Sequence, residues 1–176
     1  MFQRSEARQA WFDSSMQVSA KVDYGIRALI VLASNFDAET SKLVKGDFIA
    51  KQQAIPIKFL EGILTDLRHN GFVVSQRGAD GGYRLSRSPE KIVLADVLRV
   101  LDGPLAAVRG IRPEDVVYEA PVAGLAQVWL AVRVALRNVL ETVTLAQILT
   151  GEFAPQVQAL LEAPDANVSR SLYSSK

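Results

Sequence analysis

Residues 56–86 read PIKFLEGILTDLRHNGFVVSQRGADGGYRLS, and a change of period inside this stretch decides the fold. Leu60, Ile63, Leu64 and Leu67 recur at the three- and four-residue spacing of one helical face. Pro56 suits the opening of that helix, where its missing N–H would have had no intrahelical acceptor. The helix is expected to run to Asn70, with Gly71 closing it as a left-handed cap. Directly afterwards the spacing becomes β-prone, Phe72 to Gln76 and Tyr83 to Ser86, around the turn residues Gly78-Ala79-Asp80-Gly81-Gly82.

Working upstream, Gly46 to Gln53 reads as a short helix with Phe48 and Ile49 inward, joined through Ala54 and Ile55 to the helix at Pro56. Two helices and a turn of a few residues make a helix-turn-helix. Ser19 to Ser34 reads as an earlier helix, capped by Ser19 and presenting Val22, Ile26, Leu29, Ile30 and Ala33 on one face. Asn35 to Lys45 reads as a polar loop. The order helix, helix, helix, hairpin specifies a winged helix, mainly α with a small β-hairpin wing.

Downstream, Lys91 to Val93 suggests a short strand and Leu94 to Leu101 a helix ended by Asp102-Gly103-Pro104. Pro104 to Pro121 reads as a connector. A long helix follows from Val122 to about Glu141, with a heptad-like seam of Leu125, Trp129, Val132, Leu136, Val139 and Val143. Leu130, Ala131, Val134 and Ala135 make its other side apolar as well. The polar residues Gln127, Arg133, Arg137, Asn138 and Glu141 cover only roughly 140° of the wheel. One small domain cannot cover the rest, so a second copy is expected there, with Trp129 at the seam and its indole N–H in need of a partner. Short helices are expected at Leu145 to Leu149 and Gln156 to Leu161. The division is a 1–15 extension, a 16–103 DNA-binding domain, a 104–121 connector, a 122–150 dimerisation helix with its following short helix, and a 151–176 tail disordered from Pro164.

Composition narrows the function. The chain has 176 residues, 49% hydrophobic and 22% charged, the balance of a folded protein. Met1 to Ser15 has no apolar h-region, and no apolar run is long enough for a membrane span, so a cytoplasmic protein is expected. With no cysteine and one histidine, thiolate nucleophiles, disulfides and cysteine-based zinc sites are excluded, and Ser–His catalysis would depend on His69 alone. No phosphate-loop or metal-spacing motif is present, and an enzyme is not expected. The net charge is only +1, but Lys42 to Arg87 holds eight basic and four acidic residues. Positive charge is therefore concentrated on the helix-turn-helix and hairpin, as in a nucleic-acid footprint.

The segment from Met16 to Gly151 resembles the winged-helix regulators typified by the iron–sulfur cluster regulator, the Rrf2 family. The resemblance rests on Lys21-Val22-Asp23-Tyr24-Gly25-Ile26-Arg27-Ala28-Leu29, Ile49-Ala50, Phe59-Leu60-Glu61, Leu67-Arg68-His69-Asn70-Gly71-Phe72-Val73 and the wing Arg77-Gly78-Ala79-Asp80-Gly81-Gly82-Tyr83. Leu101-Asp102-Gly103-Pro104 and Val143-Thr144-Leu145 extend it. It implies a DNA-binding dimer with crossed C-terminal helices and a sensory loop, usually with three cysteines that hold a cluster. Here that loop, Pro104 to Pro121, has none, so no cofactor is expected and the chain looks like the cluster-free branch that includes repressors of cysteine metabolism.

Arg77 at the wing tip, beside Gly78, Gly81 and Gly82, is the first candidate for a minor-groove contact, and the resemblance implies the same. Lys58, Phe59, Glu61, Gly62 and Thr65 lie on or near the outward face of the recognition helix, whose N-terminal side chains reach base edges in such proteins. Lys58 suits guanine or phosphate, and Glu61 suits cytosine N4 or an ion pair with Lys58. Phe59 reads equally as core packing. Lys42, Lys45, Lys51, Arg84 and Arg87 suit phosphates. His69 reads as a helix-end cap or a solvated side chain, and Glu114, Asp115 and Glu119 as a solvated acidic loop. The expected function is a homodimeric repressor bound to a double-stranded DNA operator; the alternative is a regulator controlled by a protein partner or a small effector such as a sulfur metabolite.

Overall fold

The computed structural model describes residues 18–39 and 42–168. The expected 1–15 extension and the end of the tail lie outside them. In chain order the elements are α1 (Ala20–Ser34), α2 (Gly46–Gln53), α3 (Ile57–His69), β1 (Val73–Gln76), β2 (Gly82–Leu85), α4 (Leu94–Asp102), α5 (Leu125–Leu140), α6 (Leu145–Thr150) and α7 (Pro155–Leu161). Single 3-10 turns sit at Pro89–Lys91 and Pro113–Asp115.

Helix α1 is the centre of the first half. Its Ser19 cap accepts the Val22 amide at 3.1 Å, and α2, α3, α4, α6 and β2 all pack on it. Burial on several sides displaces the expected stripe. Gly25, Ala28, Val31 and Leu32 are buried with Val22, Leu29 and Ala33, while Ile26 and Ile30 are only partly so. Gly25 lets α4 approach, since a Cβ there would collide with Leu101.

Helices α2 and α3 form the helix-turn-helix. Ala54 takes the left-handed conformation at φ 51°, and the Ile55 amide reaches back to the Ala50 carbonyl at 2.9 Å. Phe48 was expected inward but is 53% exposed, whereas Ile49 is fully buried; adjacent residues on a helix lie about 100° apart and only one faces the core. Leu60, Ile63, Leu64 and Leu67 of α3 are all at 1% exposure or less. The helix ends in a Schellman turn: the Phe72 amide bonds to Leu67 O at 2.9 Å, the Gly71 amide bonds to Arg68 O at 3.1 Å, and Gly71 sits at φ 73°.

The hairpin pairs β1 with β2 antiparallel, Val73 opposite Leu85 and Gln76 opposite Gly82. Val44, expected in a loop, forms an antiparallel bridge to Tyr83, with mutual N–H···O bonds of 2.8 Å. Lys91, expected in a strand, instead closes a 3-10 turn, and Val93 forms an isolated bridge to Thr144.

That second bridge ties the segment after the long helix to the first half. Helix α6 begins in a capping box of Thr144 and Gln147, and Leu145 is fully buried in the core of the first half. This segment, expected alongside the long helix, packs on α1. Helix α5 starts at Leu125 rather than Val122 and, alone among the described helices, contains no buried residue.

Candidate nucleic-acid interface

The apolar stripe of α3 fixes which residues face away from the core. Lys58, Glu61, Gly62 and Thr65, spaced three, four and seven apart, are exposed along the opposite face. Lys58 pairs with Glu61 at 3.0 Å, its own side chain 88% exposed, and the Thr65 hydroxyl donates to the Glu61 carbonyl at 2.8 Å. Phe59 divides its surface: its ring meets Tyr24 edge-on at 5.7 Å, yet the residue is 43% exposed. Lys21 of α1 pairs with Asp66 at 2.9 Å, which offsets a second carboxylate of α3 beside that face. This tie was missed because Lys21 and Asp66 lie on helices far apart in sequence.

The wing is built by backbone constraints. Gly78 sits at φ 109° with open space around it, and its carbonyl accepts the Gly81 amide at 3.0 Å. A Cβ on Gly81 would strike the backbone of Gln76, and one on Gly82 would lie 2.6 Å from the Val44 carbonyl oxygen. Both glycines therefore have a folding reason of their own, the turn and the Val44 bridge. They leave Arg77 exposed at the start of the tip loop.

The remaining basic residues separate into two groups. Lys42, Lys45 and Lys51 are exposed, Lys45 just ahead of α2 and Lys51 in its last turn. Arg84 is partly buried on β2. Arg87, expected to suit phosphate, is occupied by the fold. Its guanidinium donates to Lys91 O at 3.1 Å and Gly71 O at 2.9 Å and lies over the Phe72 ring at 4.7 Å. His69 is exposed in the last turn of α3, its ring nitrogen 3.3 Å from Arg68.

The connector and α5 are joined by polar ties. The Trp129 indole donates to the Tyr118 hydroxyl of its own connector at 3.0 Å, so the partner it needed lies within the chain. Arg133 pairs with Glu114, and Glu141 receives both Arg99 of α4 and Arg137 at 2.9 Å. Hydrogen bonds from Arg99 and then Arg137 hold the Glu141 carboxyl below the usual glutamate range. Glu114 is lowered chiefly by its own backbone N–H, with Arg133 and Arg112 adding to the effect. The Glu141 bond in turn raises Arg99.

Val128, Val134 and Leu125 on α5 are 51%, 52% and 38% exposed. Of the expected seam, Trp129, Val132, Leu136 and Val139 are half-covered by their own chain. Val143 is a correction: it lies beyond α5 and is buried at 5% exposure, its carbonyl accepting the Leu94 amide at 2.8 Å. The most open apolar stripe is Val128, Ala131, Val134 and Ala135, about a third of a turn round from the seam.

Comparison with known proteins agrees with this architecture. Residues 18–151 match the model of the Rrf2 family, described as iron-dependent transcriptional regulators. An HTH-type transcriptional regulator of Mycobacterium tuberculosis H37Rv is 44% identical over 147 residues, 84% of this chain and 89% of the relative. The structure of CymR, the global cysteine regulator of B. subtilis, is similar with a TM-score of 0.65 and 30% identity, covering 77% of this chain and 98% of that one. T. potens IscR is similar with a TM-score of 0.61 and 30% identity over 88% of this chain and 93% of that one.

The iron in the family description is not matched by the donors here. Cysteine ligation of a cluster needs thiolates, and the chain has no cysteine. Its connector contributes Arg109 and Arg112, and among the described residues no three His, Cys, Asp or Glu side chains gather. The residues present do not fit a cysteine-held cluster. With a helix-turn-helix, a glycine-built wing and a family match across three quarters of its length, the chain belongs to the Rrf2 family of winged-helix, DNA-binding transcriptional regulators.

Proposed function

We propose that the chain is a homodimeric repressor that binds its operator without an iron–sulfur cluster. The observation that carries this reading is the polar outward face of α3, joined by one Schellman turn to a wing with Arg77 free at its tip. Two α3 helices enter successive major grooves about one turn apart, and the two wings reach the flanking minor grooves. Arg77 supplies the guanidinium for the negative minor-groove potential. Lys58, Glu61 and Thr65 read base edges, with Glu61 exchanging its bond from Lys58 for a cytosine amine and Phe59 setting the helix on the groove. Lys45, Lys51 and Arg84 hold phosphates, and Gly78, Gly81 and Gly82 shape the tip.

Dimerisation through α5 is supported by its apolar surface, which one chain covers only in part and leaves open along Val128, Ala131, Val134 and Ala135. The division into a DNA-binding unit and a dimerisation helix follows, with α6 counted in the former. The absence of a membrane-crossing helix among the described residues fits work on DNA.

The test is an electrophoretic shift with genomic fragments captured by the protein, repeated across salt concentrations. The expected result is retarded DNA whose log affinity falls linearly with log salt, because several phosphates are neutralised. No shifted fragment, or an affinity indifferent to salt, would overturn the reading.

A further inference from the structure

Between α4, the connector and α5 lies a cavity of about 380 Å³ lined by Arg99, Arg112, Arg133 and Arg137, with Leu105 and Glu114. That volume suits a small metabolite. The four guanidinium groups face one lining carboxylate. Asp96 and Glu141 engage Arg99 and Arg137, but Arg112 makes no ion pair among the described residues. The Arg133 side chain is only 19% exposed, and its Nε is buried with no hydrogen-bond partner among the described residues. An unmet buried donor on a charged group is costly, and a guanidinium fork is shaped for an oxyanion.

We propose that this cavity binds a small oxyanion, a metabolite bearing a carboxylate, sulfate or phosphate group, which takes Arg133 from Glu114. Glu114 is itself exposed and sits on the 3-10 turn Pro113–Asp115. It acts as an internal anion that holds the connector against α5 until an incoming group replaces it. Arg112, and the Nε of Arg133 once Glu114 has moved away, give the ligand contacts that a single carboxylate leaves unused. The occupied cavity joins Arg99 on α4 of the DNA-binding half to Arg133 and Arg137 on α5, so its ligand biases how the two units sit. This second step rests on the repressor reading above; the binding step does not.

The test titrates the full chain with inorganic sulfate, inorganic phosphate and succinate at fixed ionic strength, following melting temperature and calorimetric heat. At least one probe is expected to saturate. Its binding should weaken roughly tenfold in both Arg112→Gln and Arg133→Gln, the loss of a charge-assisted hydrogen bond, and tighten in Glu114→Gln, where the competitor has lost its charge. Arg112 is exposed, so Arg112→Gln keeps the test valid if Arg133→Gln fails to fold. No saturation with any probe, or stabilisation that is equal in wild type and Arg112→Gln, would overturn the site, since sulfate also stabilises proteins by exclusion. Unchanged operator affinity at saturating ligand would overturn the coupling alone. Failure of the unliganded protein to bind DNA would instead strike the repressor reading and leave the cavity result standing.

Discussion

Helix α1 is wrapped by five neighbouring elements and buries seven of its 15 residues, whereas α5, with 16, buries none. The two are similarly apolar, and the difference lies in what their own chain provides. Around α1 the chain closes a core of leucine, isoleucine, valine and alanine. Against α5 and its Glu141 cap it offers Tyr118, Glu114 and Arg99, side chains that orient the helix while burying none of its residues. A helix that is apolar over well over half its circumference and held by polar ties keeps a face available to a partner. The first half closes its core within the chain, and the second leaves the apolar stripe on which the proposed dimer rests.

That contrast can be broken first at α5. Ala131→Glu places a carboxylate in the middle of the open stripe, where the proposed dimer would bring the same charge on each copy together. The dimer is expected to weaken by about 3–5 kcal/mol, the cost of a buried unpaired charge, while circular dichroism of the protomer stays unchanged. Light scattering across a dilution series checks this, and an undiminished dimer would place the contact elsewhere. Truncation in the first half should act differently. Leu60→Ala opens a cavity under α3 and is expected to cost about 2–5 kcal/mol in denaturant unfolding, with no change in subunit association.

A smaller effect is expected at the wing. Gly82→Ala drives a Cβ into the Val44 carbonyl, and overpacking of this kind costs about 1–3 kcal/mol. The readout is loss of slow amide exchange at Val44 and Tyr83, whose mutual bonds the substitution breaks; protection that persists would show that the bridge yields without loss. The smallest effect concerns pH. Glu141 has a lowered pKa in the folded protein, so its contribution is complete above the ordinary glutamate value and is lost as pH falls through the depressed one. The melting-temperature gap between wild type and Glu141→Gln should therefore be present at neutral pH and close in acid. A gap that widened in acid would reverse the assignment.

The parts of the fold legible in the sequence are those whose pattern is local. The stripe of α3, its glycine stop and the hairpin tip declare themselves within 31 consecutive residues, 56–86. Helix α1 was placed correctly, but its buried set was not, because burial on several sides erases the amphipathic period. Val44 carries no signal in a polar loop, since one bridging residue has no alternation to read. Residue type alone misplaces Phe48, since a phenylalanine can face solvent beside a buried isoleucine, and it gives no sign that Arg87 spends donors on the carbonyls of Gly71 and Lys91. The arginine cavity was illegible because residues 99, 112, 133 and 137 converge only when α4, the connector and α5 have packed. The exposure of Arg77 and of the outward face of α3 was readable because helical spacing and turn chemistry determine what remains outside the core.

Hydroxyl-radical footprinting of a captured genomic fragment, with wild type beside Arg77→Ala, examines the wing, the recognition helix and the twofold pairing together. Two protected tracts related by symmetry and about one helical turn apart are expected, flanked by outer minor-groove protection. The flanks should vanish in Arg77→Ala, with affinity reduced by roughly 1–3 kcal/mol. A single unpaired tract, or flanks that survive the substitution, would contradict a paired, wing-led mode of binding.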